Sequence, residues 1–152
     1  IVFGDWSSDV CSSDLDYLII DCPPGTGDEP LSVAQLFGKL SGAIVVTTPQ
    51  DVAVDAVRRS ISFCNQLNMP MLGIVENMAG FVCPDCGKKY DIFGSKGGSK
   101  LAEATSTELL VSIPLSAHLA EFGDGGRPVA YDAENPIGAV YRDLAAKIDS
   151  KL

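Results

Sequence analysis

The chain has 152 residues, 46% of them hydrophobic, and a formal net charge of −9. That is enough for one core, and so for one domain or part of one. The acidity excludes a nucleic-acid surface, which needs a basic stripe, and no run approaches the eighteen or so apolar residues of a membrane-spanning helix.

Residues 1–15 (IVFGDWSSDVCSSDL) are rich in Ser and Asp and share no periodicity with the rest of the chain. They read as a non-native or disordered leader, similar to translated adapter sequence at the ends of metagenomic reading frames. A natural surface loop is the alternative, and Trp6 and Cys11 carry no functional weight. The start lacks the basic n-region and long h-region of a secretory signal. The five cysteines have no disulfide-rich spacing, which points to reduced thiols in the cytoplasm.

From Asp16 the pattern becomes regular. Tyr17-Leu18-Ile19-Ile20 is a continuous apolar run ending in Asp21, as expected of a strand buried on both faces. It opens into Cys22-Pro23-Pro24-Gly25-Thr26-Gly27-Asp28. A carboxylate at the end of a buried strand suits Mg²⁺, and Gly25 and Gly27 expose N–H groups that could sense a terminal phosphate. A plain turn whose Asp28 caps the next helix is the alternative.

Further strands are expected over 42–48, 71–76 and 109–114, and helices over 51–68, 99–105 and 136–151. Asp51 is the expected N-cap of the first of these helices. Strands alternating with helices predict right-handed crossovers and a parallel α/β sheet. Ligands bind beyond the carboxyl ends of such strands, where Asp21, Thr48, Asn77 and Pro114 are expected. Gly94-Ser95-Lys96-Gly97-Gly98-Ser99-Lys100 has the wrong order for a phosphate loop. It reads as a flexible connection into a helix.

Cys83-Pro84-Asp85-Cys86-Gly87 supplies two thiolates on a tight turn. A redox dithiol would open a helix, whereas this motif sits in a loop. Cys64 is expected in the core, His118 on a solvent-facing helix, and Cys22 without a ligand role. Two ligands per chain become four when two chains meet at a two-fold axis, as a cluster bridging two subunits requires. A shared zinc satisfies the same count.

These motifs, DYLIIDCPPGTGD (16–28), TTPQDVAVDAVRRS (47–60), GIVENMAGFVCPDCG (73–87), IPL (113–115) and GDGGRPV (123–129), resemble the Mrp/ApbC/Nbp35 family. Its members are P-loop ATPases that carry iron–sulfur clusters, related to MinD and ParA. The resemblance implies the parallel-sheet P-loop NTPase fold of the SIMIBI class and ATP as nucleotide. It implies Asp21 near Mg²⁺, Gly25 in the γ-phosphate-sensing loop, Asn77 on the adenine, and Pro114 and Leu115 lining the base pocket. Cys83 and Cys86 would hold a [4Fe–4S] cluster bridging a homodimer, for delivery to apo iron–sulfur proteins. No nucleic acid or membrane partner is implied. A MinD/ParA-like positioning ATPase and a zinc-clipped, non-enzymatic dimer are the alternatives.

The family's phosphate-binding loop lies upstream of the DxPPG segment, and here only twenty residues precede Asp21, none of them matching. Residues 16–152 are therefore expected to be the carboxyl-terminal part of one ATPase domain. Such a part would have uncovered sheet edges and would not hydrolyse ATP efficiently alone.

Overall fold

The computed structural model describes residues 15–37 and 40–152. Of the leader, all but Leu15 lies outside the described residues. Helix α1 (Asp28–Phe37) is followed by strand β1 (Ala43–Thr47), helix α2 (Asp51–Gln66) and strand β2 (Met71–Val82). Then come the two-residue strand β3 (Lys89–Tyr90), helix α3 (Gly97–Thr105), strand β4 (Leu109–Leu115), helix α4 (Ala117–Asp124), a 3₁₀ turn (Val129–Tyr131) and helix α5 (Pro136–Asp149).

Among the described residues β2 is the hub of the sheet. It pairs in parallel with β1 through Ala43↔Met71 to Thr47↔Glu76 and, on its other side, with β4 through Ile74↔Leu109 to Phe81↔Leu115. Beyond the end of β1 it pairs antiparallel with β3. The parallel α/β architecture expected from alternating apolar runs and amphipathic helices is present. The long β2 is a departure, because the strand expected to stop at Glu76 continues for six more residues.

Helices α2 and α3 cover one face, burying Val45, Val54, Ile61, Ile74 and Leu101. The other face buries Val75, Leu110, Val111, Ile113, Val129 and Ile137 beneath α5, the 3₁₀ turn and Leu119 and Phe122 of α4. Ile74 and Val75 point to opposite layers, as the period of two requires, so the apolar run through β2 serves both. Each fully buried aliphatic side chain of this kind contributes about 1.5–3 kcal/mol.

Helix ends follow local chemistry. Asn135 caps α5, its side chain accepting from the Ile137 N–H at 2.9 Å, and Pro136 occupies the first helical position. Arg142 reaches back from α5 to the carbonyls of Ala130, Asp132 and Ala133 at 2.7, 3.0 and 3.2 Å. This ties the 3₁₀ turn to the helix. Asp51 is the first residue of α2, not its cap. Gln50 holds the cap position without a side-chain bond, and Asp51 acts through its charge at the helix start.

Two expectations are corrected. Tyr17-Leu18-Ile19-Ile20 forms no strand, and Ile19 is 76% exposed. A doubly buried strand needs neighbours on both sides for its N–H and C=O groups, and among the described residues none pairs with it. Tyr17 instead hydrogen-bonds Asp149 at the end of α5. Among the described residues β1 is covered on one face only. Val45 and Thr47 lie under α2, whereas Val46 is 57% exposed, because the layer of α4 and α5 covers β2 and β4.

Candidate functional site

The cysteine motif crowns the long β2. Past Val82 the chain turns through Cys83–Gly87, where the Gly87 N–H donates to the Cys83 carbonyl at 2.9 Å. Gly87 takes φ +69°, a left-handed conformation that costs glycine least. The Cys83 N–H then donates to the Lys88 carbonyl at 3.0 Å, and the return strand β3 pairs through Val82↔Lys89 and Phe81↔Tyr90.

Inside this turn the Cys86 N–H, then the Asp85 N–H and the Cys86 thiol, hydrogen-bond the Cys83 sulfur and hold its pKa below the ordinary thiol range. Donors to the sulfur favour the thiolate, the form in which a cysteine ligates metals. Among the described residues no group of three or more His, Cys, Asp or Glu is gathered to hold a metal ion. Cys83 and Cys86 thus stand as a pair, with no third such group gathered beside them among the described residues.

Beside the hairpin, β2 and β4 bring three expected residues together. Asn77 lies opposite Ile113 and Phe81 opposite Leu115, so residues 78–80 of β2 bulge past Pro114. Met78 at φ +57° and Gly80 at φ +86° make the bulge. Asn77 does not end the strand, as expected, but sits immediately before this interruption. Its Oδ1 accepts from the Met78 N–H at 2.9 Å, which leaves the carboxamide amino group to donate outward. Pro114 and Leu115 are half-buried alongside.

Asp21 and Gly25 lie elsewhere. The segment 21–27 carries no regular structure, and Thr26 faces Arg58, Arg59, Ser62, Phe63 and Gln66 of α2 across a cleft of about 380 Å³. That is the carboxyl-terminal half of α2, which runs back toward the amino ends of the strands. The expected gathering of Asp21 with Thr48, Asn77 and Pro114 at the carboxyl ends is thus not formed, because among the described residues no strand pairs with the run 17–20. Gly25 adopts φ +105° in open space, so its need for glycine is conformational.

Of the other described thiols one is buried, as expected of Cys64, and one is exposed. Cys64 is buried in the α2 face, and burial pushes its pKa up. Cys22 is exposed, its pKa raised by partial burial and then by the nearby Asp21 and Glu29 charges. His118 is exposed on α4.

Two features escaped the sequence reading. Glu76 is 5% exposed within β2, its Oε1 accepting from the Gly98 N–H at 2.7 Å and its Oε2 from the Ser112 hydroxyl at 2.9 Å. Gly97 and Gly98, expected in a flexible connection, are buried in the first turn of α3. The signal available was a lone Glu inside the apolar run GIVEN.

Comparison with known proteins fits this architecture. Residues 3–149 match the family model described as ParA: NUBPL iron-transfer P-loop NTPase. An "Iron-sulfur cluster carrier protein" of Methanocaldococcus jannaschii is 44% identical over 147 residues, 95% of this chain and 51% of that protein. The zebrafish "Cytosolic Fe-S cluster assembly factor nubp2" is 47% identical over 128 residues, 83% of this chain and 48% of that protein.

A nucleotide-binding protein from Archaeoglobus fulgidus, solved in complex with ADP and with cobalt found, superposes with a TM-score of 0.64 at 45% identity, covering 74% of this chain and 46% of that one. The cell-division ATPase MinD of Pyrococcus furiosus gives a TM-score of 0.71 at 21% identity, covering 91% and 54%, a likeness of fold alone. The chain spans about half the length of the curated relatives it matches. By motif, fold and sequence match, it belongs to the ParA family of NUBPL-type iron-transfer P-loop NTPases.

Proposed function

We propose that the chain belongs to a cytoplasmic iron–sulfur cluster carrier whose cargo, a [4Fe–4S] cluster, is held between two copies by Cys83 and Cys86 of each. The observation that carries this reading is the amide-lined thiolate turn with only two ligands. A cluster needs four thiolates, and a two-fold axis through this turn supplies them. The relatives named as iron–sulfur cluster carriers support the same cargo. Apo iron–sulfur proteins are the recipients.

ATP is the proposed nucleotide, bound and hydrolysed by the whole protein. The Asn77 carboxamide, oriented by Met78, donates to the adenine, and Pro114 and Leu115 pack on its face. Asp21 would order the water shell of Mg²⁺, and the Gly25 loop respond to the γ-phosphate, once the segment before Asp21 pairs in the sheet of the whole protein and carries both to the carboxyl ends of the strands beside Asn77. The ADP complex of the Archaeoglobus protein supports nucleotide binding. By itself this stretch is proposed to be a poor ATPase, since 16–152 carries no GKGGVGKS-type loop.

The test is iron, zinc and acid-labile sulfide per chain after anaerobic reconstitution, read with the mass in solution. About two irons and two sulfides per chain are expected, in a dimer that Cys83→Ser dissociates. A Cys83→Ser/Cys86→Ser protein that still bridges a cluster refutes the assignment. Zinc without sulfide, at about half an ion per chain, replaces the cargo with a structural clip.

A further inference from the structure

Helix α3 has no cap of its own. Its N-cap position is Lys96, in the left-handed region at φ +63° and without a side-chain bond to the helix. The missing acceptor comes from another element: the Glu76 carboxylate of β2 takes the N–H of Gly98, the second helical residue. That is the donor a cap normally satisfies. Gly98 has room for no side chain here, since a Cβ would stand 2.8 Å from Glu76 Cβ and 3.1 Å from Leu109 Cδ1. Ser112 of β4 holds the other oxygen. One buried carboxylate, costly unless so bonded, thus joins β2, β4 and the start of α3.

What enters α3 is the return limb of the cysteine hairpin. Only six residues, 91–96, separate the end of β3 at Tyr90 from Gly97. They are tightened by a turn in which the Gly94 N–H meets the Asp91 carbonyl at 3.0 Å. The hairpin is tied to the sheet by just two registered pairs, Phe81↔Tyr90 and Val82↔Lys89. A ladder this short is marginal without support at its far end. Gly97 packed on the backbone of Pro49, and Gly98 bonded to Glu76, are that support.

We propose that Glu76 is a positioning residue for the Cys83/Cys86 pair: by capping α3 from β2 it anchors the return limb and fixes the two thiolates over the end of the strand. The proposal rests on the cargo reading only in assigning the cysteines to a metal.

The test is backbone hydrogen exchange on the metal-free chain for the parent, Glu76→Ala, Glu76→Gln and Val111→Ala. The last removes buried side chain from the opposite layer and reports general destabilisation. Glu76→Ala is expected to speed exchange of residues 83–98 by roughly tenfold beyond Val111→Ala, and Glu76→Gln, which keeps an acceptor for the Gly98 N–H, to remain near the parent. Equal exchange in Glu76→Ala and Val111→Ala, or a Gln variant as open as the Ala variant, overturns the proposal. If Glu76→Ala does not accumulate, Ser112→Ala carries the comparison, with a several-fold rise expected and no rise overturning it. In parallel, cobalt(II) titration followed by thiolate-to-metal absorption should show a midpoint about tenfold higher in Glu76→Ala than in Val111→Ala; equal midpoints overturn the proposal. A parent chain that gives no thiolate absorption refutes the metal reading instead, and the exchange result still decides the role of Glu76.

Discussion

Replacing Gly97 with alanine sets two effects against each other. Inside a helix, Gly→Ala gains up to about 1 kcal/mol from reduced backbone entropy, and less at a first helical residue such as this one. Against it stands a fixed obstacle. A Cβ at Gly97 would overlap the Pro49 carbonyl oxygen and lie 2.7 Å from the Pro49 carbonyl carbon and Cα. Carbon atoms in ordinary contact are about 3.5–4.0 Å apart, so α3 must retreat by roughly 1 Å.

Backbone cannot rotate away as a flexible side chain can. The retreat stretches the 2.7 Å bond from the Gly98 N–H to Glu76. Overpacking costs about 1–3 kcal/mol, and a weakened bond to a carboxylate about 1.5–3 kcal/mol at most. The net loss is therefore about 2–4 kcal/mol, or a fall in Tm of roughly 4–16 °C for a chain of this size. Gly123→Ala is the matched control, since nothing lies within 4 Å of its Cβ in α4. It should raise Tm by about 2–4 °C. Thermal unfolding followed by far-ultraviolet circular dichroism reads both variants. A Gly97→Ala protein as stable as its parent would refute the packing argument.

Three further outcomes are expected. Leu101→Ala, emptying a side chain with no exposure between α2 and β2, should cost about 2–5 kcal/mol in urea unfolding; a loss below that of a surface substitution contradicts the core assignment. Iodoacetamide mapped by mass spectrometry at neutral pH should label Cys83 several-fold faster than Cys22. The Cys83 thiolate, favoured first by the Cys86 N–H, persists as pH falls until its depressed folded pKa is passed, whereas Cys22 is raised by partial burial; Cys22 reacting first would reverse the electrostatics. Glu108 is held below the usual carboxylate range, chiefly by its hydrogen bond from Lys151 at 2.7 Å. Its contribution is present above the unfolded value of about 4.3 and is lost as pH falls through the lower folded value. Lys151→Ala should therefore move the Glu108 carboxyl titration upward by NMR, with the difference shrinking in high salt, and an unmoved titration rejects the pair.

How far the fold could be read depends on whether each signal was local. The runs at 42–48, 71–76 and 109–114 became β1, β2 and β4, because an apolar run between amphipathic helices fits a parallel sheet, covered on both faces at β2 and on one face at β1 among the described residues. The same reasoning failed at Tyr17-Leu18-Ile19-Ile20. Hydrophobicity records what a segment would bury but does not name the neighbour that accepts its N–H groups, and no neighbour stands there among the described residues. The extension of β2 to Val82 was equally hidden. The apolar run ends at Glu76, yet left-handed Met78 and Gly80 form a bulge past which pairing with β4 resumes at Phe81.

The site divides along the same line. The turn that carries Cys83 and Cys86 was legible as a turn because Cys-x-x-Cys-Gly is a local object: spacing fixes the geometry, and the turn's own N–H groups lower the pKa of the Cys83 thiol. Glu76 was not, because its partners lie 22 and 36 residues away, at Gly98 and Ser112. A carboxylate beside Asn77 looks like the polar end of a strand until α3 is seen to start on it. The glycines misled for a related reason. Gly97 and Gly98 signal freedom in a sequence, but here they permit close approach to Pro49 and Glu76, the opposite of flexibility. The thiolate turn is thus specified nearby and held from afar. A hairpin with two registered pairs is marginal alone, so on the positioning role proposed for Glu76 the buried carboxylate belongs to the same device as the two cysteines.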